Sequence, residues 1–209
     1  MTDQVDSDTP DRVVIRPLTA SDSAAYRALR QHILEIGEGK FFSSSYTREQ
    51  QLTTEAAWGA WCSETALRCI IGSFVDGALV GIMAIQPCGD PRHRTAEWDS
   101  TWIAPAYRTS GVARQSYERV RAWSLEHGYR YVIVDVRADN TRSLQIRERQ
   151  GAVYLCTQRD VRWADGSTAD THYLMMSIVP EGERARSAEQ AIGLLEAGLA
   201  FLRHEQLGA

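Results

Sequence analysis

The sequence has no basic excess. Its 209 residues hold 23 Lys and Arg against 27 Asp and Glu, a formal charge of -4. A nucleic-acid-binding surface usually carries the opposite balance, so no nucleic acid partner is expected. No apolar run approaches the roughly 18 residues that a membrane span needs. Met1 to Pro10 is polar and acidic, unlike a secretory signal, so a cytoplasmic protein without membrane attachment is expected. Cysteine is scarce: Cys62, Cys69, Cys88 and Cys156 lack metal-site spacing and sit mostly in apolar runs. Reduced, partly buried thiols are the first reading, a disulfide or zinc site the other, and no metal is expected. A Gly-Lys-Ser/Thr phosphate loop, a GxGxxG fingerprint, internal repeats and low-complexity tracts are all missing.

The chain is 44% hydrophobic, which suits one domain with an appendage. Val13-Val14-Ile15 reads as a strand that stops near Pro17. Thr19 or Ser21 can cap a helix running to Ile36, with Tyr26, Leu29, Ile33 and Ile36 on one face and Gly37 ending it. A loop, GEGKFFSSSY, leads to a second helix from about Thr47 that carries Trp58 and Trp61. CIIGSFV and ALVGIMAI flank Asp76-Gly77, a strong hairpin signal. TAEWDSTWI alternates as a strand. Val112 to His127 is amphipathic and stops at Gly128. YVIVDV reads as a central strand. Asn140 opens a short helix ending before Gly151, and AVYLCTQRD with THYLMMSIV forms a last hairpin around Asp165-Gly166. Ser187 to Leu207 reads as one more helix with an apolar stripe, which suits a packed cap or a homodimer contact. The order β-α-α-β-β-β-α-β-α-β-β is that of a mixed α/β (α+β) domain. Residues 1–11 form a tail, 12–180 the domain and 181–209 the helical appendage.

One junction carries chemistry. TAEWDSTWI runs through Pro105-Ala106-Tyr107 into Arg108-Thr109-Ser110-Gly111-Val112-Ala113, and a helix starts at once. Small residues let backbone approach a ligand, and the first helical N–H groups plus the helix dipole attract phosphate. Arg108 and Arg114 add charge. Alone, such a hexad is more often an ordinary turn.

In context it resembles the GNAT superfamily of acyl-CoA-dependent N-acyltransferases, whose signature Gln/Arg-x-x-Gly-x-Gly/Ala fits Arg108 to Ala113. The resemblance spans about Val13 to Ile178 in element order, and its specific motifs span Glu97 to Gly151. It implies a mixed, mostly antiparallel sheet of about six to seven strands flanked by helices. It implies acetyl-CoA as cosubstrate, its pyrophosphate on the amides of Arg108, Thr109, Ser110, Gly111, Val112 and Ala113, with Arg114 near. The cofactor arm would run along Trp102, Ile103 and Ala104, between two parted parallel strands, and meet Asn140 and Ser143. Asn140 can equally serve as a helix cap.

The implied reaction is attack of an amine on a thioester. An alkylamine of pKa ~10 is mostly protonated at neutral pH, so a base is required. Glu97 lies six residues before Ile103, the offset of the catalytic glutamate in the histone-acetylating branch of the family. Period two puts Glu97, Asp99, Thr101 and Ile103 on one face, making Asp99 the second candidate; a solvated strand edge is the plain alternative. Many GNAT enzymes place a tyrosine seven residues after the asparagine, as acid for the leaving thiolate. Here that position holds Arg147. Water, or Tyr154 or Tyr173 from the last hairpin, can replace the phenol; or the chain binds acyl-CoA and turns over weakly. Arg147 itself can steady a thiolate or make a surface ion pair. Phe41, Phe42, Ser43 to Ser45 and Tyr46 fall on the side the family uses for its acceptor, or form a lid. The expected activity is transfer of acetyl from acetyl-CoA to a primary amine, small molecule or peptide, in a ternary complex. The rival readings are a weakly catalytic acyl-CoA-binding regulatory module and an unrelated nucleotide-binding α/β fold.

Overall fold

The computed structural model describes residues 12–42, 49, 51–163 and 165–179. Seven strands form one sheet in the order β1-β2-β3-β4-β5-β7-β6. They are β1 (Val13–Pro17), β2 (Cys69–Val75), β3 (Ala78–Pro87), β4 (Thr95–Ile103), β5 (Tyr131–Arg137), β6 (Val153–Arg162) and β7 (Thr168–Ser177). Only β4 and β5 pair in parallel. Among the described residues four helices flank the sheet: α1 (Ser23–Glu35), α2 (Glu55–Cys62), α3 (Val112–Glu126) and α4 (Thr141–Arg149). This is the element order read from the sequence. The tail, the C-terminal helix and Tyr46 lie outside the described residues. The helix expected from about Thr47 carries Trp58 and Trp61 but starts only at Glu55, because residues 51–54 are not helical and the Thr54 side chain caps it, accepting from Ala57 N–H.

The hairpin at Asp76-Gly77 forms as expected. Both residues hold positive φ, 49° and 82°, the conformation of the tight turns that match strand twist. One face of the sheet takes α3. Val120 and Trp123 of α3 are fully buried against Cys69, Ile71, Met83, Ile85 and Trp98. A tryptophan that buries ~200 Å² contributes roughly 5 kcal/mol at ~25 cal/mol/Å². The Trp98 indole donates to Ser124 Oγ at 3.1 Å, and Ser124 Oγ donates to Val120 O at 2.9 Å, so the polar atoms beneath α3 are satisfied. The other face takes α1 and α2. Tyr26, Leu29, Ile33 and Cys62 pack on Ile70, Phe74, Ile82 and Trp102.

Two further local readings change. Ile36 is not on the buried face of α1; the helix ends at Glu35 and Ile36, its C-cap, is 42% exposed. The second change is in β4. Its register against β3 moves from Ala84↔Asp99 to Ile82↔Trp102, so two residues of β4 face one of β3. Ser100 takes a positive φ of 48° at that bulge. A bulge breaks period two. Asp99 therefore shares a face with Trp102, not with Ile103. Ile103 packs with Val112, Val75 and Val80 on the α3 side.

Candidate active site

The sheet opens where its two parallel strands meet. β4 and β5 pair only at Thr95↔Tyr131, Ala96↔Val132 and Glu97↔Ile133. Beyond these, β4 stays on β3 as far as Ile103↔Gly81, and β5 stays on β7 as far as Arg137↔Thr171. The two strands part between fixed neighbours. Their facing backbone groups have no ladder partner across the gap, which suits an extended ligand that carries amides.

The chain then turns through Pro105–Tyr107 into α3. Gly111, the residue before that helix, has φ +88°, and a Cβ built on it would meet nothing within 4 Å. Conformation requires glycine there, and the space beside it is open. The first helical bond runs from Gln115 N–H to Gly111 O at 3.1 Å. The amides of Val112, Ala113 and Arg114 have no preceding turn to donate into, and their positive end faces the opening. This backbone fits a diphosphate. The arginines sit differently from the sequence reading. Arg108 turns back into the body: its Nε donates to Ile103 O at 2.9 Å, and its guanidinium pairs with Glu38. Glu38 also accepts from the Trp102 indole. Burial works to raise the Glu38 carboxyl, but the bonds from Arg108 and Trp102 outweigh it and hold that group below its ordinary value. Arg114 is exposed and lies 3.4 Å from Glu118.

A cavity of ≈ 230 Å³ lies between this turn, the parted strands and α4. Of the residues named from sequence it gathers Phe41, Phe42, Trp102, Ile103, Arg108, Ala113, Asn140 and Ser143. It also takes Glu38, Thr101, Tyr117, Arg142 and Ile146, which the sequence reading did not assign to the site. Tyr117 and Ile146 sit at helical spacings that read as core, and Glu38 and Arg142 read as solvated charges. Asn140 caps α4, its Oδ1 accepting from Ser143 N–H at 3.2 Å, while lining the cavity; the cap and a contact to a ligand coexist. Ala104 packs beside the cavity-lining Trp102 and Ile103.

A smaller polar cavity, ≈ 60 Å³, adjoins the first and shares Phe41, Thr101, Asn140 and Ser143 with it. Asp99, Ser100, Asp135, Arg137 and Arg147 complete its polar lining. Asp99 is 7% exposed, and the Gln86 amide donates to it at 2.9 Å and to Glu97 at 2.6 Å. One amide thus ties the two carboxylates together. Glu97 lines neither of these two cavities.

Arg147 is not a surface residue. It is 3% exposed, its guanidinium lies 5.1 Å from the Tyr117 ring centre, and Nη1 donates to Gln150 Oε1 at 3.2 Å. The amphipathic pattern of α4 alone does not show this, because the arginine occupies a core-facing position. The phenols suggested as substitutes lie elsewhere. Tyr154 is 55% exposed and bonds Thr157 at 2.7 Å; the Tyr173 hydroxyl donates to Gln158 Oε1 at 2.9 Å. The phenol of the cavity wall is Tyr117.

A parted parallel strand pair beside an open helix N-terminus defines a protein that can take an extended, phosphate-bearing ligand into the middle of its sheet. The chain belongs to the Acetyltransferase (GNAT) family, whose model matches residues 31–152. Its fold is shared by solved GNAT structures. A GNAT-family acetyltransferase from Streptococcus pneumoniae is 18% identical, with a TM-score of 0.66 over 79% of this chain and 99% of that one. The protein yncA from Salmonella typhimurium, solved with its cofactor acetyl-CoA, is 16% identical, with a TM-score of 0.64 over 85% and 99%. The spermidine/spermine N-acetyltransferase SpeG from Vibrio cholerae is 16% identical, with a TM-score of 0.61 over 84% and 100%. A search of curated proteins gives no match. Among the described residues no helix is long and apolar enough to cross a membrane.

Proposed function

We propose that this chain is an N-acetyltransferase that moves acetyl from acetyl-CoA to a primary amine by direct attack. The observation that carries the reading is the parting of β4 from β5 beside the open amides of α3. The residues fit the cosubstrate. The amides of Gly111, Val112, Ala113 and Arg114 hold its diphosphate, with Thr109 and Ser110 in the same turn. The amide-bearing arm runs along Trp102, Ile103 and Ala104, although Ala104 is already bonded to Val80 and Tyr107 and Ile103 O to Arg108, and Asn140 and Ser143 flank that arm. Bound there, acetyl-CoA supplies an activated acyl carbon.

The chain's own groups do the rest. A carboxylate must take the proton of the incoming ammonium. Asp99 lines the polar cavity, so it is the nearer base, and Gln86 links it to Glu97 behind. Backbone N–H groups on the parted stretch of β4 would donate to the oxygen that gains charge. Phe41 and Phe42 bound the acceptor side. Tyr117, on the wall of the larger cavity, is the phenol available to the leaving sulfur.

The test is release of the free thiol from acetyl-CoA with a panel of primary amines, for the wild type, Asp99→Asn and Glu97→Gln. A positioned base contributes about 10²- to 10⁴-fold. Asp99→Asn loses turnover in that range, and Glu97→Gln loses less. Full activity of both variants from pH 6 to 9 would remove the carboxylates from the mechanism. Tight acetyl-CoA binding with no turnover of any amine would leave a binding module instead.

A further inference from the structure

The polar cavity holds a cation whose hydrogen bonds are not spent. Arg147 is 97% buried, and its Nε has no partner. The guanidinium makes no ion pair among the described residues; its contacts are the Gln150 amide oxygen and the Tyr117 ring. Thr101 Oγ1, on the same cavity wall, is likewise buried without a partner. Desolvating a guanidinium is costly unless an anion faces it. The neighbouring Arg137 is already engaged, donating to Asp139 at 2.8 Å and to Ser167. Asp99 and Asp135 line the same small space. A cavity with two carboxylates and one unspent guanidinium matches a ligand that carries both signs of charge on adjacent atoms. A polyamine would bring only positive charge against Arg147.

We infer that the acceptor is a small α-amino acid, its carboxylate on Arg147 Nε and Thr101 Oγ1 and its amine toward Asp99. The inference rests on the acetyltransferase reading and names its substrate class. The ≈ 60 Å³ of the polar cavity accepts the charged head. The side chain then points past Phe41, which lines both cavities, toward Phe42 and Trp102, so an apolar side chain is preferred. In the reaction the neutral amine nitrogen forms a bond to the acetyl carbon, the carbon–sulfur bond breaks, Asp99 takes the amine proton, and the thiolate leaves and is protonated. The product is an N-acetyl amino acid and free coenzyme A.

The test compares L-leucine, L-leucinamide and spermidine as acceptors for acetyl-CoA, and repeats leucinamide with succinyl-CoA. Leucinamide carries the less basic amine, so amine ionisation alone favours it. A higher kcat/KM for leucine, by about 10- to 100-fold, reports the carboxylate. In Arg147→Met that preference collapses toward unity, and Arg147→Lys keeps part of it because it retains charge without the fork. The wild-type comparison decides even where a variant does not fold. Leucinamide equal to or better than leucine overturns the inference, as does a preference for spermidine. A leucinamide reaction that works well only with succinyl-CoA overturns it too, assigning the Arg147 site to a carboxylate on the acyl group. Failure of all acceptors with acetyl-CoA removes the acetyltransferase reading itself, a result distinct from turnover without a carboxylate preference.

Discussion

Replacing Gly111 separates two effects that the structure keeps apart. Gly111 has φ +88°, and a Cβ there meets nothing within 4 Å. Gly111→Ala therefore costs only backbone strain, about 1–2 kcal/mol for a left-handed non-glycine residue. At roughly 2–4 °C per kcal/mol for a chain of this size, Tm falls by about 2–8 °C. Gly111→Glu has the same strain and adds a negative charge where the diphosphate would sit. A carboxylate ~5 Å from one phosphate charge costs ~0.8 kcal/mol in a water-like dielectric and ~3 kcal/mol at an effective dielectric of ~20. Two phosphate charges give at least ~1.7 kcal/mol, or about 15- to 20-fold in Kd. The assay is isothermal calorimetry with acetyl-CoA on the wild type and both variants, with thermal melts in parallel. Gly111→Glu binds at least ~15-fold more weakly than Gly111→Ala while melting within a few degrees of it, and the gap narrows as salt is raised. Equal affinity of the two variants would refute phosphate binding at this turn.

Two predictions concern stability. Asp22 accepts from Arg16 at 2.8 and 2.9 Å and from Thr19 N–H at 2.8 Å; the Arg16 bonds lead, against the opposing effect of burial, in lowering its carboxyl to about 2. A carboxyl depressed in the folded state stabilises above its unfolded pKa of ~3.9 and loses that contribution as pH falls toward 2. Asp22→Asn therefore lowers stability by about 1–2 kcal/mol at pH 7, with Arg16 partly solvated, and the difference from wild type vanishes near pH 2; urea melts across pH check this, and a gap that persists at pH 2 contradicts it. Glu49 is 4% exposed, pairs with the buried Arg30 at 2.7 Å and accepts from Tyr26, while Arg30 lies 4.1 Å from the Phe42 ring centre. Glu49→Ala leaves Arg30 buried without its anion, a loss of about 3–5 kcal/mol, and a melt lowered by less than ~3 °C would show that water relieves the site.

The fold was legible in the sequence because each element carried its own local signal. Asp76-Gly77 and Asp165-Gly166 marked the hairpins, Gly128 and Gly151 closed helices, and apolar spacing set α1 and α3. The Arg108–Ala113 turn was legible from its strand-turn-helix context. What escaped depends on contacts between distant segments. Arg108 is drawn off the turn by Glu38, 70 residues away. Arg147 reads as a helix-surface cation, yet packs under Tyr117 of another helix. The strand alternation that placed Asp99 beside Ile103 failed because one serine, Ser100, accepts a positive φ, and nothing in its residue type announces that.

That serine acts as a parity switch for the strand. Upstream of it, odd-numbered residues of β4 look toward α1 and α2; downstream, even-numbered ones do. The acids and the indole of Trp102 share a wall only because of this slip of one residue, and so do the Trp102 and Arg108 bonds to Glu38. Deleting Ser100 would remove the extra residue, and the faces would survive: Thr101 would stand opposite Met83 and Trp102 still opposite Ile82. Keeping all nine residues of β4 in regular alternation would instead turn Trp102 away from Glu38 and Ile103 toward Tyr26 and Ile82, exchanging the two faces at the mouth of the site.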